Sequence, residues 1–186
     1  MNWLNPSAII LTATLTLSAC STLAPTYPTS IDNVQTLKGA GFIAAQVGNF
    51  SDSPSKDNAN PISIRSNPMS SPYANSYAKY IEAALKDELQ LANKLQNDAS
   101  VEISGELLKN DMTTGMSEGN SHIEARFMVK KADAVVYDQI KTAHHSWPSN
   151  FVGAIAIPRS IQEYPTTIQI LLKNLYADPA FIKALN

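Results

Sequence analysis

The chain has 186 residues and a mass of 20.2 kDa, which is room for one domain and little else. Hydrophobic residues make up 44% and charged residues 16%, so neither a collagen-like nor a highly charged disordered chain fits. The net charge of −2 argues against a surface built to bind nucleic acid. A single cysteine excludes an intrachain disulfide and a cysteine-rich metal or iron–sulfur site. No cofactor and no metal are expected.

The cysteine ends an apolar stretch close to the amino terminus. Residues 9–19 have the length and small-residue ending of a signal peptide, and they are too short to form a membrane-spanning helix. Residues 1–19 contain no Lys or Arg, so the usual basic start is missing. The alternative is a buried cysteine within an ordinary apolar helix. We expect a signal peptide over 1–19, ending with Leu17, Ser18 and Ala19 before Cys20.

These four residues resemble the lipobox of bacterial lipoproteins. In that family the chain is cleaved before the cysteine, whose thiol and new amino group are then acylated, so the resemblance implies a lipid on Cys20 and attachment to a membrane. Ser21 is not Asp, which by the sorting rule of enteric bacteria implies the outer membrane, facing the periplasm. Residues 20–38 are rich in Pro, Ser and Thr, and this composition predicts an acylated cysteine followed by a flexible tether.

A single domain is expected over 39–186. Ser71-Pro72 has the N-cap and N1 pattern of a helix start, and apolar residues at spacings of three and four continue this helix to about residue 95. Apolar runs and alternation predict strands on either side of it. These are 41–50, a short segment at 62–65, and a meander made of 101–112, 123–130 and 134–142.

A second amphipathic helix is expected after Pro158, with Pro165 kinking or restarting it. Asp178-Pro179 repeats the N-cap and N1 pattern and predicts a last helical turn through Leu185. The order of one strand, one helix, three strands and one helix predicts a two-layer α+β domain. An antiparallel four-stranded sheet would be covered by two amphipathic helices.

Two patterns could indicate catalysis or metal binding, and neither is strong. Ser117 lies in a G-x-S-x-G pattern, which in serine hydrolases needs a strand, a sharp turn and a helix; here the residues that follow read as a strand. The histidines are His122, His144 and His145, and adjacent residues 144 and 145 would point to opposite faces of a strand. That geometry is poor for holding one ion.

Trp147 stands ahead of the apolar run 151–157. Together with Phe151 and Ile155 it could form an exposed patch for a partner protein. The alternative, which a contiguous apolar heptamer favours, is that the run is buried under the second helix.

The layout resembles small proteobacterial outer-membrane lipoproteins of undefined function, including the YajG-like lipoproteins and the auxiliary lipoproteins of ABC-type envelope lipid transporters. Because a shared layout does not fix function, the first hypothesis is a non-enzymatic, lipid-anchored module that binds an unidentified protein partner in the envelope. The second hypothesis is an auxiliary role in lipid or lipopolysaccharide transport, with acyl chains held between sheet and helices. A serine hydrolase using Ser117 is a remote third.

Overall fold

The computed structural model describes residues 21–132 and 134–186. Its longest helices and strands all lie beyond residue 76. In chain order they are β1 (Thr22–Leu23), α1 (Ile31–Gly39), β2 (Gln46–Asp52), β3 (Ile62–Ile64), β4 (Asn67–Ser70), α2 (Tyr77–Leu91), β5 (Val101–Thr114), β6 (Glu118–Lys131), β7 (Ala134–Pro148), α3 (Gly153–Tyr176) and α4 (Pro179–Leu185).

The strands form two sheets. The larger has the order β2-β5-β6-β7, in which β5, β6 and β7 are an antiparallel meander, as predicted, and β2 runs parallel to β5. The smaller has the order β1-β4-β3. The expectation of one antiparallel sheet with two helices is therefore wrong, although the α+β class is correct. The chain between β2 and β5 carries α2, and a crossover of that length returns the next strand in the same direction.

The large sheet has one buried and one partly open face. Ile123, Ala125, Phe127 and Val129 of β6 are fully buried, while the residues between them are partly exposed, which confirms the predicted alternation. The buried face packs against α2 and α3, whose apolar stripes complete the core. Strand β7 is an edge of this sheet, and it carries three exposed apolar side chains, Val135, Val136 and Ile140.

Helix α2 is shorter at both ends than its apolar pattern predicts. Ala74 and Asn75 have positive φ, so the chain after Ser71 makes a turn, and the N-cap is Ser76, whose side chain accepts a hydrogen bond from the Lys79 amide. At the other end Asn93 has a φ of 58°, the left-handed conformation that ends a helix. The predicted start at Ser71-Pro72 is therefore wrong.

Helix α3 begins at Gly153 and passes through both prolines, so the apolar run 151–157 mostly belongs to the helix. Each proline removes one backbone donor, and the buried stripe from Ile161 to Leu175 holds the helix against the sheet despite that loss. The Asp178 N-cap and Pro179 start α4 as predicted. No helix in the described ranges is long and apolar enough to span a bilayer.

The segment 22–39, named here the N-terminal segment, is folded. It contributes β1 to the small sheet and α1 to the helical layer, and it buries Tyr27, Val34 and Leu37 in the main core. The expectation of a flexible tether over 20–38 is therefore wrong for the described residues, and the folded body begins at Thr22 instead of residue 39. Burial of these three side chains and the polar contacts described below outweigh the flexibility that the composition suggested.

Candidate functional site: the N-terminal segment and the apolar end

The four residues predicted to direct lipidation, Leu17, Ser18, Ala19 and Cys20, lie outside the described residues, so lipidation stays a prediction. The described chain starts at Ser21, and Thr22 is already paired with Met69 of β4. One residue therefore separates the position of Cys20 from the folded body.

A buried carboxylate fastens the N-terminal segment to the helices. Glu88 of α2 is fully buried, and its Oε1 accepts hydrogen bonds from the Tyr27 hydroxyl at 2.5 Å and the Asn33 amide at 3.1 Å. The same Asn33 amide group donates to the Gln169 carbonyl of α3, and Gln169 donates to the Pro28 carbonyl. Burial raises the pKa of Glu88, and the bonds it accepts oppose that rise. The N-terminal segment is thus part of the helical layer.

Exposed apolar side chains collect at one end of the molecule. Phe151 is 77% exposed and precedes α3, Ile155 is 56% exposed on its first turn, and Met116 is 80% exposed in the β5–β6 turn. We call this set the apolar end; its members are Leu23, Met116, Phe151, Val152 and Ile155.

Arg65 holds the loops of the apolar end together. It lies in the tight β3–β4 turn, where it and Ser66 both have positive φ, the geometry of a two-residue hairpin turn. Its guanidinium donates to four backbone carbonyls, those of Thr114 and Gly115 in the β5–β6 turn and those of Asn150 and Phe151 before α3. A further bond joins Ser149 to Ser117. Met116 and Phe151 are therefore carried on one rigid platform.

The predicted patch of Trp147, Phe151 and Ile155 is divided by the structure. Trp147 points to the buried face of β7 and is only 2% exposed, and its ring lies against Gly119. Phe151 and Ile155 are exposed, so the expectation that the whole run 151–157 is buried is also wrong; Ala156 alone of that run is fully covered.

An open apolar cleft of about 490 Å³ runs beside the apolar end, between β1 and the first turns of α3. Leu23 and Pro25 form one wall, and Ile157, Pro158 and Ile161 form the other. By contrast, the space between the large sheet and the helices is filled with buried side chains, such as Phe127, Leu171 and Ile168.

The histidines divide between the two faces of the sheet, as predicted. His122 and His144 stack on the outer face with ring centroids 4.0 Å apart, while His145 lies on the inner face with its Nε2 2.8 Å from Glu163 of α3. Burial and the neighbouring His144 lower the pKa of His122. Within 21–132 and 134–186, no three His, Cys, Asp or Glu residues are placed to hold a metal ion.

Ser117 lies in the turn that joins β5 to β6, so the chain there runs strand, turn, strand. A serine hydrolase elbow requires a helix after the serine. Its side chain is exposed to solvent, away from the covered face of the sheet. The structure thus gives the G-x-S-x-G pattern the role of a hairpin turn.

Sequence reasoning missed Glu88 and Arg65. Glu88 follows Ile81 and Leu85 at the spacing of the apolar stripe on α2. An acidic residue at a position of the buried stripe was the sequence signal that could have identified it. Arg65 had no comparable signal, because its four acceptors are backbone carbonyls from positions far along the chain.

No protein family model and no curated protein matches this chain. Among solved structures, it is similar to a Xanthomonas campestris protein of the DUF330 family, at 12% identity and a TM-score of 0.51, over 84% of this chain and 96% of that one. A candidate lipoprotein from Caulobacter crescentus gives 11% identity and a TM-score of 0.46, over 82% and 96% of the two chains. A minor lipoprotein from Acinetobacter baumannii gives 11% and 0.41, over 75% and 92%. The chain therefore shares the fold of the Xanthomonas protein.

Proposed function

We propose that this chain is a lipid-anchored envelope protein of the outer membrane, facing the periplasm, with a non-enzymatic binding role. The observation that carries the proposal is the position of Cys20 in a lipobox-like sequence, one residue before the folded body begins at Thr22. An acyl group on Cys20 would hold the body directly at the membrane surface. A single acyl chain binds membranes only reversibly, so stable anchoring takes at least two signals.

The described residues support binding more than catalysis. Ser117 is in a hairpin turn, and His122 and His144 stack on the outer face of the sheet, far from the helical layer. Two exposed apolar surfaces remain to be covered by a partner or by lipid: the apolar end, and the exposed apolar side chains of the edge strand β7. An envelope protein is the partner that we propose for the module.

An auxiliary role in lipid transport is the second candidate. The hypothesis drawn from the sequence places acyl chains between the sheet and the helices, but that space is filled by core side chains. The open cleft beside β1 is the apolar cavity that such a role could use. The cleft is shallow and lies next to the proposed anchor, so we place the binding module first.

The lipid anchor is tested with two variants in the native host. We expect Cys20→Ala to keep residues 1–19 and to leave the outer-membrane fraction, because the acylated thiol is lost. Ser21→Asp is the matched control: it keeps Cys20, so the chain should still be cleaved and lipidated, with a mass that differs from wild type only by the substitution itself, while the protein should move to the inner membrane. Intact mass and membrane fractionation are the measurements.

The result that overturns the anchor is a wild-type chain whose intact mass shows Cys20 unmodified and residues 1–19 attached.

Cross-linking in intact cells extends the same experiment to the partner. We expect a cross-linked envelope protein with the wild-type chain and its loss with Cys20→Ala. An equal yield from both would contradict binding at the membrane surface.

A further inference from the structure

The apolar end lies where the chain enters the folded body. Strand β1 runs parallel to β4, with Thr22 opposite Met69 and Leu23 opposite Ser70. Strand β4 starts directly after the Arg65–Ser66 turn, so the chain comes into β1 from the side of that turn. Arg65 in turn binds the two loops that carry Met116 and Phe151. The start of the body and the apolar end are therefore at the same extremity of the molecule.

Hydrogen bonds join the loops that carry the exposed side chains of this end. The Arg65 guanidinium fixes both loops, and Asn150 accepts a hydrogen bond from the Val152 amide at the start of α3. Ile155 projects from the first turn of α3, and Val152 is the N-cap of that helix. Large apolar side chains that are exposed on loops joined to one another by hydrogen bonds indicate a surface that is covered in use.

The end is also nearly free of charge. Residues 21–30 and 147–158 contain no Asp, Glu, Lys or Arg. Two arginines lie beside the apolar end. Arg65 donates its hydrogen bonds to backbone carbonyls, and Arg159 forms an ion pair with Glu163. Glu118 is exposed at the start of β6. An uncharged apolar surface loses little by leaving water for the interface of a bilayer.

We propose that the apolar end lies in the interface of the bilayer, with Phe151, Ile155 and Met116 inserted among the lipids. The inference rests on the proposed lipid anchor at Cys20. The two steps from Cys20 to Thr22 reach about 7 Å, so an anchored body keeps the start of β1 close to the lipid surface. Insertion of apolar side chains about 5–10 Å into the boundary region would be a protein-borne signal added to the acyl chains.

The test uses single-cysteine labelling of the full chain, produced in its host and reconstituted into phosphatidylcholine vesicles. When Cys20 is acylated, a cysteine introduced at Phe151→Cys is the one free thiol of the chain and can carry an environment-sensitive fluorophore. Part of the lipid carries a nitroxide quencher near the headgroup. We expect a blue-shifted emission and strong quenching of the probe at position 151.

The matched control is Ile43→Cys. Ile43 is likewise apolar and 89% exposed, and it precedes β2 at the end of the sheet where β5 begins. The 14 residues of β5 separate the two ends by about 45 Å at 3.3 Å per residue, so a probe at position 43 should be quenched several-fold less. Equal, weak quenching at both positions would overturn the inference, and it would point to a protein partner as the cover of the apolar end.

Vesicle flotation separates this result from failure of the anchor. A chain that floats with the vesicles but shows no quenching at position 151 keeps the anchor and loses the inference. A chain that does not float, and whose wild-type form reacts with the thiol reagent at Cys20, loses the anchor itself. Circular dichroism of both variants establishes that the labelled chains are folded.

Discussion

Replacing Glu88 tests whether the N-terminal segment is held by one buried carboxylate. Glu88→Ala removes the acceptor shared by the Tyr27 hydroxyl and the Asn33 amide, and both donors are in buried side chains. Glu88→Gln keeps an oxygen at the same place and removes the charge. The two variants therefore separate the hydrogen bonds from the negative charge.

The expected magnitude follows from these contacts. Each buried donor left without a partner costs about 1–3 kcal/mol, and some of that is offset because the variant no longer buries a carboxylate. We expect Glu88→Ala to lower the free energy of unfolding by about 2–4 kcal/mol. Glu88→Gln should lie within about 1 kcal/mol of wild type.

The charge itself has a pH signature. Burial raises the pKa of Glu88 in the folded state, so the folded chain binds the proton more tightly than the unfolded chain. Stability contributed by this group therefore increases as the pH falls through the raised pKa, and it levels off below the ordinary value. The wild type should gain stability relative to Glu88→Gln on acidification.

Urea denaturation gives the free energies, and hydrogen exchange reports on the N-terminal segment. We expect amides of residues 24–39 to lose protection first in Glu88→Ala. Asp87→Ala is the control, because it removes the adjacent acid on α2 and should change stability by less than about 0.5 kcal/mol. Wild-type stability for Glu88→Ala, with unchanged protection of the N-terminal segment, would refute the reasoning.

Two further substitutions test the packing and the charges of the C-terminal half. Gly119→Ala would place a methyl group inside contact distance of the Trp147 ring, so we expect about 1–3 kcal/mol of destabilisation in thermal or urea unfolding. The control is Gly39→Ala, which should be neutral because no atom lies within contact distance of the added methyl group. The hydrogen bond from Lys141 lowers the pKa of Asp178 from 3.8 to about 2. The stability that the Lys141–Asp178 pair contributes should be present above pH 4 and lost as the pH falls towards 2. NMR titration of the Asp178 carboxyl carbon measures this pKa. An ordinary pKa for Asp178, or equal acid sensitivity of the Asp178→Asn variant, would contradict the pairing.

The strands of the meander were the easiest part of the fold to predict. Alternation in residues 123–130 fixes which side chains are buried, since successive residues of a strand point to opposite faces. The same rule correctly separated His144 from His145. It also shows why Trp147 is buried, because odd-numbered positions near the end of β7 face the helices.

The pairing direction of β2 was not accessible from pattern. Alternation and apolar runs are the same in parallel and antiparallel strands, and direction depends on the crossover that carries α2. The start of α2 was missed because Ala74 and Asn75 both adopt positive φ; Asn often takes this conformation, but Ala rarely does, so the turn had only one weak signal.

The candidate site shows the same division. Lipidation of Cys20 stays a prediction from its neighbours, whereas the fold of residues 22–39 was hidden by a composition typical of linkers. The Ser30 N-cap and Asp32 in the first turn of α1 were weak signals that could have indicated this helix. The exposure of Phe151 and Ile155 could not be read from the run 151–157, since an apolar heptamer fits a buried segment equally well.

The contact between the N-terminal segment and α3 sets the order in which the helical layer can fold. The bond from Asn33 to the Gln169 carbonyl joins positions 136 residues apart, and Gln169 binds Pro28 in return. A polypeptide is synthesised from its amino end, so the N-terminal segment has to wait for α3 before its docking surface is complete. Until α3 has been made, α1 can contact only α2, and the N-terminal segment stays incompletely packed.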